Sequence, residues 1–342
     1  MTPSTKPIVA VTFGDASGIG PELVAKLLSR ADVLAAATIV LVGDAWVWAE
    51  GQRIAGVAPA VRPIDSWAVA RASTDGTPMF LEIDTVAQAE VIPGQVTAAA
   101  GRGARAALTQ CLDAVTRRDI DAICFAPLNK QALKKGGMAF EDELHFFADY
   151  LGVTGYFCEF NTLGTLWTSR ISSHVPLGEV TKLVTRERIK QAAQLTERTL
   201  RQAGFTAPRI GLAALNPHGG DGGTCGREEI DIIEPAAREL NAEGLAIQCP
   251  YPADTIFLKA RDGQLDAIVT MYHDQGQVAL KLMGFERGVT VQGGLPVPIA
   301  TPAHGTAFDI AGQNKANVEA TAQAFLLAAR LGAGYRISGL AA

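Results

Sequence analysis

The sequence predicts an α/β protein built on a largely parallel sheet. Three observations lead there. Short apolar, β-branched runs alternate with longer segments of helical spacing along most of the 342 residues. Helical segments carry Pro near a start or Gly near an end. Two strand-like runs, "IDAICFAP" and "LDAIVTMY", both contain Asp-Ala-Ile, as two related βα units would.

In chain order, "PIVAVTFG" reads as the first strand and "GPELVAKLLSRADVLAAA" as a helix with Pro21 in its first turn. "TIVLVGD" is a second strand. "TAAAGRGARAALTQCLDAVTRRD" has helical spacing through Ala107, Leu108, Cys111, Leu112 and Val115. "RERIKQAAQLTERTLRQAG" and "NVEATAQAFLLAARLGAG" read as helices closed by Gly. No Pro/Ser-rich linker interrupts the pattern, so a crossing between two domains runs on structured elements.

Composition narrows the function classes. Hydrophobic residues at 48% and charged residues at 19% are those of a soluble globular chain. A net charge of −5, no Lys/Arg stripe and 6% aromatics offer nucleic acid neither an electrostatic footprint nor stacking platforms. The N-terminus lacks the features of a signal peptide, and Gly43 and Asp44 break the most apolar region short of a membrane span. Cysteines 111, 124, 158, 225 and 249 are odd in number and lack CxxC spacing, as reduced thiols of a cytoplasmic protein would be.

Three of the five histidines share one local setting. "TLWTSRISSH" ends at His174, "RIGLAALNPH" at His218 and "LDAIVTMYH" at His273. In parallel α/β sheets ligands bind beyond the carboxyl ends of strands. Three neutral imidazoles meeting there leave open positions on a divalent ion, as in catalytic metal sites. Taken singly, each histidine reads better as a local hydrogen-bonding residue, and only the shared strand-end setting brings the two readings level. Asp274 and Gln275 can orient His273 or meet substrate, and Lys281 is a general-acid or anion-holding position, though by itself it reads more readily as a solvated lysine.

Two glycine-bearing loops add to this. "FGDASGIGPE" sets Gly14, Gly18 and Gly20 between a strand and a helix start, where amides hold an anion or merely form a tight turn. "AHGTAFDIAGQNKAN" (303–317) joins His304, two glycines and Asp309. An Asp there accepts from both ribose hydroxyls of NAD and repels the 2′-phosphate of NADP.

Together, "VTFGDASGIGPEL", "LNPHGGDGG", "ADTIF", "MYHDQG" with Lys281, and "HGTAFDIAG" resemble the 4-hydroxythreonine-4-phosphate dehydrogenase (PdxA) family, in that family's order and over nearly the whole chain. The resemblance implies a two-domain αβα fold like that of isocitrate and isopropylmalate dehydrogenases, with the active site in the interdomain cleft. It implies residues 1–128 plus 300–342 as the first domain, carrying the cofactor loop. Residues 129–299 form the second, carrying metal ligands and the dimer interface. It implies NAD, a divalent metal (Zn, Mg, Mn or Co), a small anionic substrate and a homodimer, with no nucleic-acid or membrane partner. The metal ligands fall on His174, His218 and His273, and the substrate lysine on Lys281. Cofactor contacts fall on His304, Gly305, Thr306, Ala307, Asp309 and Asn317. Lys281, with Asp274 as alternative, carries the proton.

The chain also departs from that family. Where the family has Gly-His-Thr-Glu, it reads Asp142-Glu143-Leu144-His145, so substrate positions fall on Glu143 and Leu144. The family's substrate Asn falls on Thr290 and its substrate Arg on Ile299. Each lost charge-assisted hydrogen bond costs ~1.5–3 kcal/mol, or ~10- to 150-fold in binding. The expectation is a paralogue that keeps the metal and cofactor chemistry and oxidises another hydroxylated carboxylic acid, with a cis-dihydrodiol of an aromatic dicarboxylate as one candidate and decarboxylation as a possible second step. The competing readings are a true 4-hydroxythreonine-4-phosphate dehydrogenase, in which Arg170 or His145 restores the missing contacts, and a non-catalytic ligand-binding protein on the same fold.

Overall fold

The computed structural model describes residues 6–340. Every strand-like run read above becomes a strand, and the chain divides into two units: Met1–Thr154 with Val289–Val291 and Leu295–Ala342, and Gly155–Gly288 with Gln292–Gly294. These bounds differ from the expected ones at 128 and 300. Residues 129–154 belong to the first unit because Leu133, Phe146 and Phe147 pack into its core, with Phe147 edge-on to Phe125 at 5.8 Å. The return to the first unit begins within β11 (Val289–Gly293).

In the first unit, β1 (Ile8–Thr12), β2 (Thr38–Gly43), β3 (Arg62–Ile64), β4 (Met79–Glu82), β5 (Ala122–Phe125), β11 and β12 (Ile299–Pro302) lie in the order β3-β4-β2-β1-β5-β12-β11. All pairs are parallel except β11–β12. The order reverses between β1 and β5, so their carboxyl ends flank the crevice where such sheets take ligands. Apolar residues fill both faces of the central strands: Ile8–Thr12 and Ala122–Phe125 are buried throughout, as a sheet covered on both sides requires.

In the second unit, β6 (Cys158–Leu163), β7 (Leu166–Arg170), β8 (Ile210–Ala213), β9 (Ile247–Tyr251) and β10 (Ala267–Thr270) lie in the order β6-β7-β10-β8-β9. Here too one pair, β6–β7, is antiparallel, so the sheet strands are mixed where an almost wholly parallel set was expected. Leu166, Ala213, Ile256, Phe257, Ile268 and Leu280 form its core.

Two helices differ from the sequence reading. The segment 20–37 breaks into Gly20–Leu27 and Ala31–Ala36, because Arg30 turns extended and forks onto Asp32 at 2.8 and 3.1 Å. The last helix runs Glu319–Leu340, through Gly334. Its Gly332 serves packing: a Cβ there would stand 3.1 Å from the Ala122 side chain and 3.2 Å from the Asp121 carbonyl. Among the described residues no helix is long and apolar enough to cross a membrane. Cys111 and Cys124 are buried free thiols, Cys158 is half-buried and Cys225 exposed, also free; the Cys249 side chain lies outside the described set.

Candidate active site

In the second unit β10 lies between β7 and β8, parallel to both. The segments that follow these three strands therefore leave one edge of the sheet, and they carry His174, His218 and His273. His174 and His273 come together, with ring centroids 5.5 Å apart. They line a cavity of about 290 Å3 with Ser172, Ser173, Val175, Leu177, Val180, Tyr272 and Asp274.

The local structure explains the placement. His273 opens the helix His273–Gly284, and its Nδ1 lies 2.7 Å from Asp274 Oδ1, which fixes the ring. A carboxylate on Nδ1 leaves Nε2 as the ligating nitrogen, the usual outer-shell arrangement around metal-binding histidines. Gln275 accepts from the Met271 amide and donates to the Ala214 carbonyl, each at 2.7 Å, so it ties the ends of β10 and β8 together. Ser172 Oγ donates to the Met271 carbonyl at 2.7 Å and joins the end of β7 to that of β10.

His218 begins a turn in which His218, Gly219, Gly220, Asp221 and Gly222 all have positive φ. Glycine adopts that conformation freely, which accounts for the run "HGGDGG"; His218 and Asp221 pay ~1–2 kcal/mol each. Glu229, buried, anchors the turn by accepting from the amides of Leu215 and Asn216 at 2.8 Å and from Asn216 Nδ2 at 2.9 Å.

Among the described residues six other than glycine have positive φ: Arg118, His174, His218, Asp221, Ala307 and Asn314. Five of these lie in the histidine segments or in the loop 303–317. Backbone strain of this kind concentrates at ligand sites.

The donor set fits a divalent ion in part. Two imidazoles face one cavity, one of them oriented by a carboxylate. Among the described residues, however, no group of three or more His, Cys, Asp and Glu stands at ligating spacing. His218 is not brought to the pair.

Lys281 lies on the same helix as His273, about 12 Å further along its axis at 1.5 Å per residue, and does not line the cavity. Arg170 does not replace a missing substrate charge. It is buried, with Nη2 2.5 Å from Glu159, Nη1 2.7 Å from Asn161 and Nε 3.0 Å from Ser173 Oγ. Leu144, Thr290 and Ile299 are buried as well, Ile299 fully and within the apolar core of the first unit. Of the residues placed at the substrate by resemblance, Glu143 is half-buried and Lys281 exposed.

In the first unit the loop 303–317 follows β12 and packs on the loop after β1. Ile19 N donates to the Thr306 carbonyl at 3.1 Å, and a Cβ on Gly18 would lie 2.8 Å from Thr306. Only glycine permits that approach. Glu22 Oε1 accepts from the Ala316 amide at 2.8 Å and from Lys26 Nζ at 2.7 Å, and Lys26 donates to the Ala316 carbonyl at 2.9 Å.

Gly305 and Asp309 are exposed, Ala307 is left-handed, and Asn317 Oδ1 accepts from the Glu319 amide at 2.9 Å. His304 Nδ1 lies 3.0 Å from the Gly305 carbonyl, while its Nε2 is buried without a hydrogen-bond partner. Burial lowers its pKa, against that one bond, which favours the neutral ring. Asp15 Oδ2 and Glu22 Oε2, on the segment 15–22 that packs on this loop, are likewise buried without a partner. A buried polar group without a partner is costly, and a bound polar ligand or water repays it.

Sequence reasoning passed over Asp15. Burial raises its carboxyl to about 6, opposed by hydrogen bonding from Ser17, whose amide donates at 2.8 Å. The folded value lies above the unfolded one, so the stability this group contributes is complete below about pH 4 and lost as pH rises through about 6. The loss is on the order of 3 kcal/mol. Denaturant midpoints between pH 4 and 7 should fall with rising pH in the wild type and flatten in Asp15→Asn.

A family profile described as "Pyridoxal phosphate biosynthetic protein PdxA" matches residues 35–328. The chain belongs to the PdxA family. It is a dehydrogenase acting on a CH–OH group. It is 50% identical over 334 residues, 97% of this chain and 99% of the relative, to a Pseudomonas aeruginosa protein provisionally named 4-hydroxythreonine-4-phosphate dehydrogenase 2. It is 36% identical over 328 residues, 94% of this chain and 98% of the other, to the D-threonate 4-phosphate dehydrogenase of Salmonella typhimurium. Among solved structures it matches the 4-hydroxythreonine-4-phosphate dehydrogenase of Klebsiella pneumoniae with a TM-score of 0.82 at 34% identity, covering 96% of this chain and 98% of that one. Residues 1–34 lie outside the matched span of the PdxA profile, yet they contribute β1 and the loop that seats Thr306.

Proposed function

We propose that this PdxA-family protein oxidises the secondary alcohol of a small phosphorylated hydroxy acid, of the D-threonate 4-phosphate or 4-hydroxythreonine 4-phosphate type, with NAD as hydride acceptor. The observation that carries the reading is the pair of strand-end histidines, one of them left-handed, sharing a cavity with a carboxylate that orients the other. The names of the relatives support the substrate class. The exposed Asp309 in the loop 303–317 supports NAD over NADP, since a 2′-phosphate beside it would be repelled.

His174 and His273 are the residues that would hold a divalent metal, with His218, which is not brought to them, the third ligand that the resemblance implies. When bound, such an ion lowers the pKa of the substrate hydroxyl and polarises the carbonyl that forms. The chain's own part is positional. Asp274 holds the His273 ring, and the Ser172 and Gln275 hydrogen bonds fix the strand ends beneath it; Lys281, the proton carrier that the resemblance implies, stands outside this cavity.

The exposed side chains of Val278 (57%), Leu282 (84%) and Leu177 (71%) support a homodimer formed through the second unit, for which light scattering is the check. Val278 and Leu282 are four residues apart and share one helix face.

The substrate is tested by following NADH formation with a panel: the two phosphorylated acids, their unphosphorylated counterparts and a cis-dihydrodiol of terephthalate. Turnover of a phosphorylated acid is expected. Turnover of the dihydrodiol alone would reassign the substrate.

A further inference from the structure

The loop 303–317 is held from one short piece of the first unit at two separate points. At Thr306 the hold is made by backbone, through the Ile19 amide and the close approach of Gly18. At Ala316 it is made by side chains. The helix Gly20–Leu27 carries Glu22 in its first turn and Lys26 one turn later, on the same face. Glu22 Oε1 accepts from the Ala316 amide at 2.8 Å and from Lys26 Nζ at 2.7 Å. Lys26 Nζ also donates to the Ala316 carbonyl at 2.9 Å and to the Asn314 carbonyl at 3.5 Å. One ion pair thus fixes both backbone groups of a single residue in a distant part of the chain.

Helix stability does not call for this arrangement. An i,i+4 pair supports a helix from its solvent face, where neither group is desolvated. Here the Glu22 side chain is 1% exposed and that of Lys26 21%. A buried ion pair gives little net stability over apolar side chains of similar volume. What burial adds is direction: a carboxylate aimed at one amide. Between Thr306 and Ala316 the backbone turns left-handed at Ala307, Gly312 and Asn314, a conformation that persists where its surroundings hold it. The hydrogen bonds inside this stretch are local, from Ile310 N to the Ala307 carbonyl at 3.1 Å and from Gln313 Nε2 to the Asp309 carbonyl at 2.7 Å. Ala307, Ile310 and Val318 pack on Ile19, Leu23 and Ala316, a non-directional contact that keeps the stretch down without fixing its register. The exposed Asp309 lies between the two anchored points.

We infer that Glu22, together with Lys26, is a positioning residue for the cofactor: by holding Ala316 it places the stretch that bears Asp309, and so sets the affinity for the adenosine ribose. The inference rests on the functional reading for the identity of that cofactor. Neither side chain touches the nucleotide in this account; both act through the backbone of the loop.

The test is binding, without turnover. NADH affinity is read from the fluorescence of the bound nucleotide, and ADP-ribose affinity from its competition with NADH, in the full chain and in Glu22→Ala, Glu22→Gln and Lys26→Met. Glu22→Ala frees the Ala316 amide and should weaken NADH and ADP-ribose alike, by about 10-fold or more. Glu22→Gln keeps the length of the side chain and an acceptor for that amide, and should recover part of the loss. Lys26→Met removes the ammonium from Ala316 and Asn314 and should weaken both ligands by a smaller factor. The two milder variants keep the test open should Glu22→Ala fail to fold. NADH affinity unchanged in the folded variants would overturn the inference, as would a loss for NADH that ADP-ribose does not share. Wild type that takes NADPH in place of NADH would correct the functional reading alone, and the variants would then be scored with NADPH. Wild type that binds neither nucleotide would remove both.

Discussion

His273→Ala is expected to abolish NADH formation while leaving thermal unfolding close to that of the wild type. The ring is half-exposed at a helix start, so its loss opens no core cavity. What it removes is one of two imidazoles on the cavity and the bond that Asp274 makes to that ring. Asp274→Asn keeps the shape and weakens the orientation, and should lower activity by about 10- to 100-fold, as outer-shell partners of metal-binding histidines typically do. The order of the two effects is the informative part. Full turnover by His273→Ala would remove the histidines from the chemistry altogether.

The largest effect on stability should come from Arg170→Ala. The guanidinium is 5% exposed and the Glu159 side chain 16%, and their atoms meet at 2.5 Å. Removing one partner leaves a buried carboxylate uncompensated, at a cost of about 3–5 kcal/mol. Arg170 also holds Ser173 at 3.0 Å, the residue before His174, so activity should fall with stability. Replacing both partners by apolar residues of similar volume should recover most of the stability, because the pair's own net worth is small. Chemical denaturation of the two single variants and the double variant measures the coupling directly. Losses that simply add would show that the pair does not act as a unit.

Periodicity and strand-end context made most of this fold legible. Apolar runs named β1, β2, β5, β7, β8 and β10, and their endings singled out His174, His218 and His273 before any geometry was known. That signal is local, and local signals survive in a sequence. The break at Arg30 was hidden because an Arg–Asp fork two residues long leaves the helical spacing intact.

The unit boundaries were hidden because the chain crosses within β11, where no change of composition marks the passage. The Glu159–Arg170 pair did leave a trace. Gly164 and Thr165 sit between two strand-like runs, and the register Asn161↔Thr168 continues to place Glu159 opposite Arg170. A hairpin read there would have shown Arg170 as spoken for. Asp142 and His145 stand at N-cap spacing, which points to a cap and not to the ring contact of 2.7 Å that the pair also makes. Ile299 looked like a substrate position by alignment, and only burial shows it as core.

NADH formation by the metal-loaded protein with D-threonate 4-phosphate, with and without chelator, tests the central claim most directly. Turnover that stops on chelation and returns with added metal is the predicted result. Turnover indifferent to chelator, or none with any acid of the panel in a protein shown to bind NAD, would contradict it.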